Sequence, residues 1–165
     1  MDTNITFRFA HDGDQGLVLN FIMALAEYEK MPGEVVATPE LLRENLFVKQ
    51  EAEVIFAMKN GHEVGFALFF HNFSTFLGRP GLYLEDLFVL PEFRGQGIGK
   101  SILAKLASIA KERGYGRFEW WCLDWNKPSI DFYKAMGAVP MEDWTVYRIT
   151  GNTLDSLAQK HTPNL

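Results

Sequence analysis

The chain has 165 residues, of which 47% are hydrophobic, 14% aromatic and 22% charged, and its net charge is −5. This is about one domain's worth of ordinary globular sequence, which excludes a disordered or fibrous protein. The acidic balance offers no basic field to a nucleic-acid backbone and tolerates a small cationic substrate better than an anionic polymer.

The opening MDTNITFRFAHDGD is too polar for a signal peptide, and no window reaches the about 18 uncharged apolar residues of a membrane helix. The only cysteine is Cys122, so an internal disulfide is excluded. A cytoplasmic protein without membrane contact is expected.

Ile5 to Ala10 is β-prone, and Asp12 or Asp14 then offers an N-cap to a helix with Leu17, Phe21, Leu25 and Tyr28 near one face. YEKMPGEVV reads as a loop. Thr38-Pro39 is an N-cap followed by proline at the first helical position, which predicts a helix to about Val48. EVIFAMKNGHEVGFALFF contains two strand-like runs around Asn60-Gly61, a dipeptide suited to a hairpin turn whose two central residues need positive φ.

FSTFLGRPG reads as a loop, with Gly78, Pro80 and Gly81 as breakers, feeding a strand from Leu82 to Val89. Ile98, Ile102, Leu103, Leu106, Ile109 and Ala110 then mark one helical face, and Gly114 stops that helix. A strand from Phe118 to Leu123 follows. Pro128 opens a short helix that Gly137 ends, with Phe132, Ala135 and Met136 as its core face, Trp144 to Ile149 looks like another strand, and Asn152 to Lys160 like a terminal helix. Five to seven strands with interspersed helices, hairpin first and βαβ later, predict a mixed sheet in one α+β (α/β) domain over residues 1–165.

The stretch Arg94-Gly95-Gln96-Gly97-Ile98-Gly99-Lys100-Ser101 suggests an anion site. A nucleoside-triphosphate loop G-x-x-x-x-G-K-[ST] fails, because Arg94 stands where its first glycine belongs. A dinucleotide fingerprint G-x-G-x-x-G fails too, ending on Lys100 or Ile102 depending on where it starts. What remains is a strand, three glycines and a helix start, where the backbone can approach a pyrophosphate and unpaired N–H groups point at it. A merely tight strand-to-helix turn is the other reading.

RGQGIG after a strand resembles the R/Q-x-x-G-x-G/A signature of the GNAT superfamily of N-acetyltransferases, whose loop holds the pyrophosphate of acetyl-CoA. YLEDLFVLPEFRGQGIGKSIL, with LDWNKPSIDFYKAMGA downstream and LAEYEKM upstream, is similar to the diamine (spermidine/spermine) and thialysine acetyltransferase branch. The three segments span most of residues 20 to 140 with order and spacing retained. The resemblance implies a mixed, V-shaped central sheet flanked by helices, splayed between strands 4 and 5 where the cofactor enters. It also implies an acetyl-CoA-dependent transfer to the primary amine of a small molecule, such as a polyamine, a diamine or a lysine-like amine, by a homodimer.

The same resemblance implies the site. Tyr133 of the FYK segment donates a proton to the departing thiolate, and Glu85 of YLED acts through water as general base or orients the ammonium. Backbone groups of Leu87, Phe88 and Val89 meet the acetyl and pantetheine portion, while Arg94, Gly95, Gln96, Gly97, Ile98, Gly99 and Lys100 hold the pyrophosphate. Asn126 matches a cofactor-contacting asparagine, and Tyr28 and Glu29 match the amine-binding pair.

Chemistry supports two of these roles. A phenol of ordinary pKa about 10 can protonate a thiolate of about 8.5, and a lysine-like ammonium of about 10.4 must lose a proton before it attacks. On position alone, Tyr133 also reads as a half-buried tyrosine with a satisfied hydroxyl, Glu85 as a solvated edge residue, and Asn126 as a helix N-cap. Strict period-2 alternation puts Tyr83, Glu85 and Leu87 on one face and Leu84, Asp86 and Phe88 on the other.

Ser74 and Thr75 stand about where the diamine type carries an acid, so a lysine-like acceptor fits at least as well as a polyamine. Cys122, within an apolar strand, reads as a small core residue rather than an acyl carrier. His62 and His71 lack the spacing of a metal site, and no metal is expected. Two rival functions remain: a protein N-terminal or lysine acetyltransferase, and a non-catalytic acyl-CoA-binding module.

Overall fold

A computed structural model describes residues 4–161, which fall into two units, one reaching to Trp125 and one starting at Asn126. In the first unit Thr6–Phe9 (β1), Glu53–Lys59 (β2), His62–Ser74 (β3), Arg79–Val89 (β4) and Phe118–Trp120 (β5) form one sheet in the order β1-β2-β3-β4-β5. Neighbours are antiparallel except β4 and β5, which are parallel and joined through the helix Ile98–Glu112 (α3). This is the mixed sheet, hairpin first and βαβ later, that the sequence predicts.

The turn chemistry falls where expected. Lys59 pairs with His62 across the β2–β3 hairpin, and Asn60 and Gly61 between them take φ of 51° and 80°, which Gly and Asn adopt at the least steric cost. Thr38 accepts a hydrogen bond from the Leu41 N–H at 3.2 Å and starts Pro39–Leu42 (α2). That helix runs on into a wider π-helical turn, Arg43–Val48. Asp14 occupies the N-cap position of Gln15–Tyr28 (α1), but its carboxylate is committed elsewhere: it accepts from Arg8 at 2.8 and 3.1 Å and from the His11 N–H at 2.9 Å.

Two apolar layers hold the sheet. On one face Val54, Phe56, Phe66 and Phe88 pack with Val18, Phe21 and Leu25 of α1 and with Leu46. The Phe21 and Phe66 rings stack at 5.1 Å. The stripe of α3 named above, Ile98 through Ala110, is buried in full, and Ile102 packs beside Gly65 of β3 on the other face. Each such side chain contributes about 1.5–3 kcal/mol by leaving water.

Four local expectations need correction. FSTFLGRPG is not a loop throughout: β3 runs to Ser74, a turn takes residues 75–78, and β4 already starts at Arg79. Pro80 fits inside a strand because its carbonyl is the group in use, accepting from the Gly116 N–H at 2.9 Å. Gly81 fits because a Cβ there would stand 2.7 Å from the Asn72 side chain and from Arg117 Cγ.

The strand expected from Phe118 to Leu123 stops at Trp120, because its ladder with β4 holds only Leu82↔Phe118, Tyr83↔Glu119 and Leu84↔Trp120. Among the described residues no strand pairs with the chain beyond, so Cys122 lies past the sheet rather than within it. This early parting of β4 and β5 is the splay that the resemblance implies.

Among its described residues the second unit holds two helices, Lys127–Ala135 (α4) and Gly151–Ala158 (α5), the latter matching the expected terminal helix. Trp144 to Ile149 forms no strand. Its β-branched and aromatic residues satisfy the propensity, but no described strand offers it a ladder, and Trp144 and Tyr147 are exposed. α4 ends at Gly137 as predicted, but the expected core face of Phe132, Ala135 and Met136 is not fully buried, and Ala135 is exposed.

Candidate active site

β4 is irregular at its centre. Leu68 of β3 lies opposite Asp86, whereas the next residue, Phe69, lies opposite Leu84, so Glu85 is an extra residue, a β-bulge. Cross-strand partners share a face, and Leu68 belongs to the α1 layer. Asp86 therefore joins Phe88 on that side, while Leu84 joins Phe69 on the other. The strict alternation read from the sequence, with Leu84 and Asp86 on one face, is corrected by that single residue.

The bulge has two consequences. β4 parts from β5 after Leu84, so along Glu85–Val89 the β5 side of its backbone has no ladder partner. It also places carboxylates close together on the α1 side. Burial first, then Glu85 and Glu29, raise the Asp86 carboxyl to about 7. Burial first, then Glu85, raises the Glu29 carboxyl as well. No cation contributes to either shift, which describes a group of acids with room for an external positive charge.

Aromatic rings line the same region. Tyr28, at the end of α1, lies 6.4 Å from Phe88 and 6.4 Å from Trp125, ring centre to ring centre. The Lys30 ammonium sits 4.3 Å from the centre of the Trp125 ring, and the Arg94 guanidinium lies 5.0 Å from that of Tyr28 and 5.1 Å from that of Phe88. Arg94 also donates from Nε to the Val89 carbonyl at 3.0 Å. Its side chain thus turns back toward strand and rings, rather than forward over the glycines.

At the end of β4 the chain passes through a short 3₁₀ turn, Pro91–Phe93, into the glycine stretch. Gly97 is the N-cap of α3 with φ of 79°, a left-handed conformation that costs any residue with a Cβ about 1–2 kcal/mol. No side chain caps this end of α3, so the first N–H groups, those of Ile98, Gly99 and Lys100, are left for an anion. Gly95 has φ of 75° and nothing of the protein within 4 Å of where a Cβ would stand. Gln96 accepts from Lys59 Nζ at 2.6 Å. An unladdered strand edge leading into an uncapped helix start suits an extended pantetheine arm ending in a pyrophosphate, so these residues fit coenzyme A.

In the second unit Asn126 is the N-cap of α4, its Oδ1 accepting from the Ser129 N–H at 3.4 Å. Tyr133 stands in the last turns of α4 with its ring 5.4 Å from that of Phe132, and its carbonyl accepts from the Ala138 N–H. The Cys122 thiol is pushed up by burial, then by Glu29 and Asp124, the opposite of what a nucleophilic cysteine needs. Among the described residues no three His, Cys, Asp or Glu side chains gather as a metal site, and no helix is long and apolar enough to cross a membrane.

Tyr28, Glu29, Glu85 and Phe88, far apart in sequence, thus stand on neighbouring elements of one unit, next to the strand that feeds the glycine stretch. Sequence reasoning missed Asp86, Lys30 and Trp125 as members. Asp86 was legible as the second acid of an acidic pair in an apolar strand, but its face depends on the bulge. Lys30 lies in the LAEYEKM segment beside Tyr28 and Glu29, but nothing in the sequence set it apart.

A family model described as "Acetyltransferase (GNAT) family" matches residues 21–138. The chain is 38% identical to the thialysine N-epsilon-acetyltransferase of Sus scrofa, over 95% of this chain and 99% of that one. It is 32% identical to the spermidine/spermine N(1)-acetyltransferase-like protein 1 of Homo sapiens, over 92% of this chain and 23% of that one. Among solved structures, the integron cassette protein VCH_CASS6 from the mobile metagenome of V. cholerae superposes with a TM-score of 0.80 at 27% identity, covering 96% of this chain and 99% of that one.

Proposed function

Since this chain belongs to the acetyltransferase (GNAT) family, an N-acetyltransferase acting on small-molecule amines, we propose that its acceptor is a lysine-like primary amine. The observation that carries this reading is the bulge at Glu85, which sets an unladdered strand edge beside a group of acids without a cation. The thialysine acetyltransferase relatives support the acceptor class. The absence of an acid at Ser74 and Thr75 supports it over a polyamine.

Acetyl-CoA, the co-substrate of this family, supplies the acyl group as a thioester. Gly95, Gln96, Gly97, Ile98, Gly99 and Lys100 hold its pyrophosphate through backbone N–H groups at the start of α3, with Arg94 at the mouth of that loop. The backbone of Leu87, Phe88 and Val89 holds the pantetheine and presents an N–H to the reacting carbonyl oxygen. By the resemblance, Asn126 is assigned to the cofactor as well.

Tyr28, Glu29 and Asp86 receive the acceptor as its ammonium. Glu85, through water, takes the proton that frees the nitrogen lone pair. As the nitrogen bonds to the carbonyl carbon and the C–S bond breaks, Tyr133 gives its phenolic proton to the sulfur and recovers one from solvent. The nitrogen sheds its second proton, so ammonium and thioester become amide, thiol and one proton released. The reading further includes a single catalytic domain over residues 1–165, a cytoplasmic setting, and a homodimer, for which exposed Trp121 offers apolar surface.

The test is release of free CoA from acetyl-CoA by the full chain over a panel of amines: lysine, S-aminoethylcysteine, diamines, spermidine and N-terminal or lysine-containing peptides. Release with lysine-like amines, and little with peptides, is expected. Acetyl-CoA binding without release from any amine would mark the chain as a binding module and overturn the reading.

A further inference from the structure

We propose that Lys30, held on the face of Trp125, is a specificity-determining residue that favours acceptors carrying a carboxylate at the end away from the reacting amine. This deepens the acetyltransferase reading above and rests on it. The pieces are a left-handed backbone, neighbouring rings, and a lysine that does not act on the acids.

Lys30 has φ of 62°, a left-handed conformation that non-glycine residues seldom adopt. It stands one residue past the C-cap of α1, where the Lys30 N–H donates to the Glu27 carbonyl at 3.1 Å and the Met31 N–H to the Ala26 carbonyl at 2.8 Å. This is the position that glycine usually fills. The turn instead carries a lysine, whose ammonium stands 4.3 Å from the centre of the Trp125 ring. A protein cation therefore takes the seat that the ring would offer to a substrate cation.

The Phe88 and Trp125 rings each lie 6.4 Å from that of Tyr28, centre to centre. Phe88 lies on the β4 segment that faces the acyl group in the reading above, and Tyr28 joins it to Trp125. Glu29, Glu85 and Asp86 act on one another, and Lys30 contributes to the shift of neither Glu29 nor Asp86, its ammonium being held on Trp125. Negative charge is placed for the reacting ammonium and positive charge for what lies beyond it. An amino acid with a side-chain amine matches that polarity. A diamine instead brings its second ammonium against Lys30, or must displace Lys30 from Trp125.

L-lysine and 1,5-diaminopentane differ only by the carboxylate, so the ratio of their kcat/KM values, read by CoA release from the full chain, reports this contact. The wild-type chain is expected to favour lysine. Lys30→Met should shrink the ratio about tenfold, through a higher KM for lysine with kcat little changed, and Lys30→Arg should restore it. Trp125→Leu, which frees the lysine from its ring, should shrink the ratio too. A wild-type preference for the diamine, or a ratio in Lys30→Met within about twofold of wild type, overturns the inference while leaving acetyltransfer intact. A wild-type chain that releases CoA with no amine overturns both.

Discussion

Asp86 lies directly across from Leu68 in the β3–β4 ladder, two residues along from Leu84, yet the two β4 side chains fall on opposite faces because Glu85 is bulged between them. The bulge carries Asp86 to the α1 side, where burial together with Glu85 and Glu29 raises its carboxyl to about 7.

That shift makes stability depend on pH. Between the ordinary aspartate value of 3.8 and about 7 the folded protein holds a proton that the unfolded chain has lost, so stability falls as pH rises through this window and levels off above it. The loss is on the order of 2–4 kcal/mol. Asp86→Asn should flatten the slope and be more stable than wild type at pH 8, as measured by urea unfolding across pH. An equal slope in both proteins would refute the assignment to Asp86.

Tyr133→Phe tests the proton donor. If the phenol protonates the departing thiolate, kcat should fall about 100-fold or more, with acetyl-CoA affinity within about threefold of wild type by calorimetry. Turnover unchanged would remove Tyr133 from the mechanism.

Glu85→Gln tests the bulged carboxylate. Loss of the base should lower kcat about 100-fold at neutral pH, with partial recovery at higher pH, where more acceptor is already neutral. A variant that changes only the acceptor KM would assign Glu85 to orienting the ammonium.

Gly97→Ala tests the helix start. Forcing a Cβ into a φ of 79° should lower stability by about 1–2 kcal/mol and weaken acetyl-CoA binding, leaving the acceptor KM near wild type. Undiminished cofactor binding would separate this turn from the pyrophosphate.

Phe66→Ala tests the core under the site. Phe66 is fully buried and stacked on Phe21, so its truncation should cost about 3–5 kcal/mol in chemical unfolding. A smaller loss would mean that α1 can collapse onto the gap.

Much of the molecule was legible in the linear pattern, because much of it is decided by local chemistry. Asn60-Gly61 needs only its own backbone to turn a hairpin, Thr38-Pro39 to start a helix, and Gly97 to cap one. The α3 stripe needs only a 3.6-residue period. Where a segment's state depends on a partner, the linear reading went astray. Phe118 to Leu123 and Trp144 to Ile149 both have strand composition, but a strand exists only as far as another chain segment meets its N–H and C=O groups. Pro80 and Gly81 look like breakers, yet serve inside β4 because the Gly116 N–H takes the carbonyl of one and the Asn72 and Arg117 side chains fill the space beside the other.

The site divides in the same way. The sequence by itself determined the glycine turn and helix start and singled out Glu85, Tyr133 and Asn126 as candidates, since motif order and residue chemistry pick them out, but it did not single out Asp86. Only the tertiary structure decided which acid is buried, where β4 leaves β5, and that Lys30 lies on Trp125. Those outcomes follow from one unpaired residue at Glu85 and one left-handed residue at Lys30. Registers and backbone signs of this kind arise from packing against distant segments, and no residue spacing encodes them.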